Sequence, residues 1–169
     1  GAAGRGAGAG EMTAPTPATV EADIEEFVAS CYHDPLRFVL GAYGWGEEGP
    51  LQNEPGPDDN QRAFLTDLGR EVTQRAFNGR DPVMPIRFAE TSGHDTGKTA
   101  MCAWVTDWIL STRPHSDGTI TAGGYAQLES RTWPAIQYWT GLCLTAPWFD
   151  VMERGIYSKA FPATWKVQM

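Results

Sequence analysis

The sequence predicts an α/β fold with a parallel sheet, preceded by N-terminal helices. Three observations carry this. Residues 86–90, "IRFAE", alternate apolar and polar and read as a strand with Ile86 and Phe88 inward. "KTAMCAWVTDWILST", starting at Lys98, has the apolar spacing of a helix. "TITAG", starting at Thr119, reads as a second strand. Strand, helix and strand in that order form a βαβ unit, with its parallel pair and right-handed crossover.

Each element has its own signal. "VEADIEEFVASCYHDP" is a first helix, since Ile24, Phe27, Val28 and Cys31 recur at helical spacing, and Pro35 ends or redirects it. "LRFVLGAYGW" is a short apolar segment of helical character, followed by the Gly-, Pro- and acid-rich loop "GEEGPLQNEPGP". "DDNQRAFLTDLGREVTQRAF" is a longer amphipathic helix, capped by Asp58 or Asp59, with Ala63, Phe64, Leu68 and Val72 on one face. "NGRDPVMP" is a turn. In the helix from Lys98, Met101, Trp104, Val105 and Trp108 form the core face, widened by Ala103 and Ile109. "GYAQLESRTWPAIQYWTGL" is mostly helical and interrupted at Pro134. The remainder, from "PWFDV", is aromatic and β-leaning. Three regions follow: a low-complexity tail over 1–19 that reads as disordered, a helical segment over 20–80, and an incomplete α/β core over 81–169.

Composition narrows the function classes. With 41% apolar and 20% charged residues, most of the 169-residue chain is able to bury a core. Seven tryptophans point to an aromatic interior. The net charge is -8, and the acid excess lies in residues 21–60, with ten acids against Arg37 alone. That is the pattern of a solvated acidic face, not the basic footprint of a stand-alone nucleic-acid binder. Cys31, Cys102 and Cys143 are too widely spaced for a zinc site or a disulfide framework, and they read as reduced thiols, Cys102 as a buried structural one. The longest apolar run, near Ala100 to Leu110, is broken by Asp107 and is too short to span a bilayer.

The chemistry is concentrated in "ETSGHDTGKTA", between the first strand and its helix. A phosphate-binding loop needs backbone N–H groups converging on an anion, glycines that allow the close approach, and a helix N-terminus aimed at the same place. Gly97, Lys98 and Thr99 supply the last three elements: a flexible joint, a cation for the β- and γ-phosphates, and a hydroxyl for Mg²⁺. Lys98 is the candidate catalytic residue, and Thr99 the candidate metal ligand. Ser92, Gly93, His94, Asp95 and Thr96 complete the candidate nucleotide-binding loop. Ser92 stands at the place of the usual first glycine. Asp95 carries a charge that bound phosphates repel, so its side chain must face outward or pair with a base. His94 has two readings, a donor toward phosphate or a surface histidine.

These residues resemble the deviant phosphate-binding loop of tailed-bacteriophage terminase large subunits, in which a small residue replaces the first glycine and Ser-Gly-His precedes Gly-Lys-Ser/Thr. "FVLGAYGWGEEGPL" and "PDDNQRAFLTDLG" upstream are similar to that family's N-terminal segment, and "TITAGGYAQLESRTWPAIQYW" and "APWFD" downstream to its next strands and helix. The resemblance covers roughly residues 35–169. It implies a P-loop NTPase core, RecA-like and of the additional-strand catalytic-glutamate type, of which this chain holds the N-terminal part. It also implies ATP and Mg²⁺ as cofactors and hydrolysis coupled to DNA translocation in the full-length protein. The implied partners are double-stranded DNA, a portal protein, a small terminase subunit and further copies in a ring. The place implied is the bacterial host cytoplasm, at the procapsid portal. Gln61 takes the family's adenine-reading position, where its amide offers both a donor and an acceptor. His94 stands where related motors carry an arginine toward the γ-phosphate. The family's later Asp-Glu strand and nuclease carboxylates have no counterpart within these residues, so the expectation for this piece alone is weak nucleotide binding without hydrolysis. Two alternatives are another P-loop ATPase, such as a helicase-like translocase, and a non-catalytic nucleotide-binding module.

Overall fold

The computed structural model describes residues 16–90 and 97–169. The fold is mixed α/β. Helices α1 (Pro17–Ser30), α2 (Pro35–Ala42), α3 (Asp59–Gln74) and α4 (Lys98–Thr112) come first. Strand β1 (Asp117–Thr119) leads to α5 (Tyr125–Gln127), a π-helical turn (Leu128–Thr132) and α6 (Trp133–Leu142). A 3₁₀ turn (Ala146–Trp148) then introduces β2 (Phe149–Val151), β3 (Gly155–Ser158) and β4 (Lys166–Gln168).

The caps explain the helix starts. The Thr16 side chain caps α1, which begins at Pro17, inside the stretch expected to be tail. Asp34 caps α2, and Pro35 opens that helix, where its missing N–H costs nothing. Asp58 caps α3 in a reciprocal box: the Gln61 N–H donates to Asp58 Oδ1 at 2.9 Å, and the Asp58 N–H donates to Gln61 Oε1 at 2.8 Å. The buried stripe of α3 is Gln61, Leu65, Leu68 and Val72, so Leu65 takes the core place expected for Ala63. A π-helical turn precedes Pro134, which lies in the first turn of α6, so the interruption sits just ahead of the proline.

The expected strand at 86–90 has no regular secondary structure. Pro82 and Pro85 deprive its approach of ladder donors, and no described segment pairs with it. Ile86 packs on the helical core, while Phe88 is 39% exposed, its ring 5.3 Å from Phe64. The βαβ unit is therefore not formed among the described residues. The sheet has the order β1-β4-β3-β2 and is mixed: β1 and β4 are parallel, with Gly118 opposite Val167, and the other two pairs are antiparallel. β1 begins two residues before "TITAG", and the Ile120 N–H donating to the Gln168 carbonyl at 2.8 Å extends its pairing. The β-leaning reading of the C-terminal part corresponds to β2, β3 and β4.

Two apolar clusters flank α4. Val28, Phe38, Leu65, Met101, Trp104 and Trp108 belong to the one among the helices; Ala103, Leu110, Trp133, Ile136, Phe149 and Ile156 belong to the one against the sheet. A helix buried on both sides has no single apolar stripe. Hence Asp107 and Leu110 are buried while Ile109, expected in the core, is 37% exposed. Cys102 is exposed rather than buried, and desolvation together with Glu90 pushes its thiol up, away from reactivity. Arg113, at the end of α4, lies over the Trp108 and Tyr32 rings, 4.1 and 4.4 Å from their centroids, and donates to the Tyr32 carbonyl. No described helix is long and apolar enough to cross a membrane.

Asp107 ties the clusters together. It accepts hydrogen bonds from Tyr43 Oη and Thr140 Oγ1, both at 2.7 Å, and no ion pair is seen to it among the described residues. Burial pushes its carboxyl up to about 7, against the two hydrogen bonds that favour the charged form. The folded state thus holds this proton where the unfolded chain releases it, so stability falls as pH rises from about 4 to about 7. Between pH 5 and 8 the expected loss from Asp107 is about 2–3 kcal/mol. Asp107→Asn is expected to flatten the stability–pH curve in that window, as read by urea unfolding. Equal slopes in the two proteins would contradict the assignment.

Candidate functional site

The described part of the loop is its end. Gly97 caps α4 with φ 73° and ψ 12°, the left-handed conformation that glycine adopts without a Cβ penalty. Its carbonyl accepts from the Met101 N–H at 3.0 Å, so the α4 ladder starts at this residue. The first N–H groups of such a helix have no intrahelical partner and carry its positive dipole end. Lys98, half-buried, and Thr99, exposed, occupy the first turn. Ser92, Gly93, His94, Asp95 and Thr96 lie outside the described residues.

Gln61, distant in sequence, meets the loop here. A Cβ placed on Gly97 would stand 2.3 Å from Gln61 Nε2, so the amide nitrogen occupies space that only glycine leaves open. Gln61 is 8% exposed, and the Asp58 N–H fixes its Oε1. The capping box therefore orients the side chain, with its NH₂ group toward Gly97. The spacing of Asp58 and Gln61 is that of a capping box, a sequence signal that joins the cap to the glutamine.

Beside this pair lies a cavity of about 350 Å³. Its lining includes Trp45 and Glu54 from the loop after α2, Gln61 from α3, Gly97 and Trp104 from α4, and Trp139 from α6. The three indoles pack on one another: Trp45 is 5.6 Å from both Trp104 and Trp139, and Trp104 is 5.2 Å from Trp139. The Trp45 Nε1–H donates to the Val39 carbonyl at 2.7 Å, anchoring that ring to α2. Trp104 was expected in the core, and it is 3% exposed; its place on the cavity wall was missed. A larger groove of about 1010 Å³, lined by Phe64, Val105, Trp108 and Ile109 among others, does not include Gln61 or Gly97.

No family model, curated protein or solved structure matches the chain. The functional reading therefore rests on the residues and their geometry. Among the described residues no group of three or more His, Cys, Asp or Glu is placed to hold a metal ion. The described site thus combines one candidate metal ligand, Thr99, with a helix N-terminus, Lys98 and an aromatic cavity whose polar lining includes the oriented Gln61 amide and Glu54.

Proposed function

We propose that the chain binds Mg–ATP as the N-terminal part of a P-loop ATPase resembling the terminase large subunits, which power translocation of DNA in full-length form. The observation that carries this is the convergence of Gln61 Nε2 on Gly97 at the N-terminus of α4, beside a cavity at the lower end of the usual ligand-pocket range. The two residues come from motifs 36 positions apart that the resemblance assigns to one nucleotide. The donor set fits such a ligand: the start of α4 favours anions, Lys98 supplies a cation, Thr99 a hydroxyl for the metal, and Gln61 an amide for a base.

Bound Mg–ATP would supply the phosphoryl group whose transfer to water releases energy. This chain's residues bind and orient. Lys98 would neutralise phosphate charge, and the α4 amides would hold the anion. Within these residues no apolar strand ends in an Asp-Glu pair, so no water-positioning role is assigned here. Titration with Mg–ATP tests the reading. Lys98→Ala is expected to lower affinity about 10-fold or more, the worth of a charge-assisted phosphate contact. Equal affinity in the two proteins would overturn it.

A further inference from the structure

We propose that the larger groove, which shares neither Gln61 nor Gly97 with the nucleotide cavity, binds a fatty carboxylate, its head held by Arg113, Tyr32 and Ser116 and its chain by the apolar walls. The first observation is an uncompensated cation. Arg113 is half-buried, and among the described residues no carboxylate pairs with it. The Trp108, Tyr32 and Phe77 ring centroids lie 4.1, 4.4 and 5.4 Å from its guanidinium carbon and fix it in place. One N–H each goes to the Tyr32 carbonyl and to Thr112 Oγ1, so the fork keeps further donors for an anion.

The second observation is a pair of orphans at the same end of the groove. Tyr32 Oη and Ser116 Oγ are buried and have no hydrogen-bond partner among the described residues, and both residues line the groove. The Tyr32 ring lies against Arg113, and the Ser116 N–H donates to the Arg113 carbonyl at 3.1 Å, so one turn carries the cation and a hydroxyl. A buried hydroxyl without a partner is unfavourable, and beside such a cation an anionic oxygen satisfies both. The rest of the lining sets the rest of the ligand. Phe64, Val105 and Ile109 form an apolar wall, and at about 1010 Å³ the groove has room for a long chain. Arg80 and His115 add basic groups, and Asp117 is the one acid among the described lining residues. On a chain of net charge -8, this local excess of bases favours an anion. One guanidinium with Asp117 in the same lining suits a monoanion better than a dianion, and its planar fork matches a carboxylate.

The experiment titrates the ¹⁵N-labelled chain with octanoate, octanol and acetate, on the wild type, Arg113→Gln and Ser116→Ala; thermal unfolding checks that each variant is folded. The wild type is expected to bind octanoate at least about 10-fold more tightly than octanol, which lacks the charge, or acetate, which lacks the chain. Saturable shifts are expected at the Val105, Ile109 and Ser116 amides. Arg113→Gln is expected to lose the preference for octanoate over octanol. Ser116→Ala is expected to weaken octanoate about 3-fold and to leave octanol within about 2-fold. Should Arg113→Gln fail to fold, Ser116→Ala and the wild type carry the test. Equal affinity of the wild type for octanoate and octanol, shifts confined to Gly97 and Lys98, or no saturable binding would overturn the proposal. So would sedimentation showing a dimer that Ile109→Glu dissociates, because a second copy would then fill the groove. Each of these results leaves the nucleotide reading standing, since that reading rests on the other cavity.

Discussion

Gly97→Ala is expected to weaken Mg–ATP binding about 10-fold or more and to cost about 1–2 kcal/mol of stability. Two separate causes act at this one position. The φ of 73° is left-handed, and a Cβ there is strained against the following backbone. The new Cβ would also stand 2.3 Å from Gln61 Nε2. That nitrogen ends a flexible side chain, so the amide yields rather than the helix. In yielding it gives up the bond between Gln61 Oε1 and the Asp58 N–H and turns its donors out of the cavity. The causes are separable. Gly97→Asn tolerates the left-handed backbone better but carries the same Cβ, so it should recover part of the stability and little of the affinity. Calorimetric titration and thermal unfolding of both variants read the two effects. An alanine variant that binds as the wild type does would show that Gln61 is not positioned by the glycine.

Trp108→Ala is expected to cost about 3–5 kcal/mol, a large share of a marginal total of about 5–15 kcal/mol. Trp108 is 2% exposed and sits in the helical cluster. Its Nε1–H donates to the Cys31 carbonyl at 2.8 Å, joining α4 to the end of α1. Its ring also lies under the Arg113 guanidinium, which burial lowers to about 10 and which stays charged at neutral pH. Alanine leaves a cavity, removes one of the two donors to the Cys31 carbonyl, which keeps the Asp34 N–H, and takes away the nearest of the rings under the Arg113 guanidinium. Trp108→Phe keeps a ring and loses the hydrogen bond, so about 1–2 kcal/mol is expected. Urea unfolding measures both, and a loss under about 1 kcal/mol for alanine would contradict the packing.

The helices were legible because their signals are local. Asp58 and the apolar spacing of α1 and α3 act within a few residues, and the structure caps α3 with Asp58 and buries Val28, Leu68 and Val72, with Leu65 in place of Ala63. The sheet was less legible, since a strand exists only through its partners. "IRFAE" has the alternation of a strand and no described neighbour to pair with, whereas β1 is three residues long and is defined by Lys166, Val167 and Gln168 far along the chain. Asp107 looked like a break in an apolar run because Tyr43 and Thr140, which satisfy it, lie 64 and 33 residues away. The candidate site divides in the same way. Lys98, Thr99 and Gly97 announced themselves by motif, and Gln61 by resemblance. The cavity arises from four separate segments, and no spacing in the sequence predicts that Trp45, Trp104 and Trp139 meet.

The central claim is that a nucleotide binds in the cavity beside Gln61 and the start of α4. A titration of the ¹⁵N-labelled chain with Mg–ATP tests it most directly. The predicted result is a saturable shift of the Gly97 and Lys98 backbone amides together with the Gln61 side-chain amide. Shifts confined to residues of the larger groove, such as Val105 and Ile109, or no saturable shift at all, would contradict it.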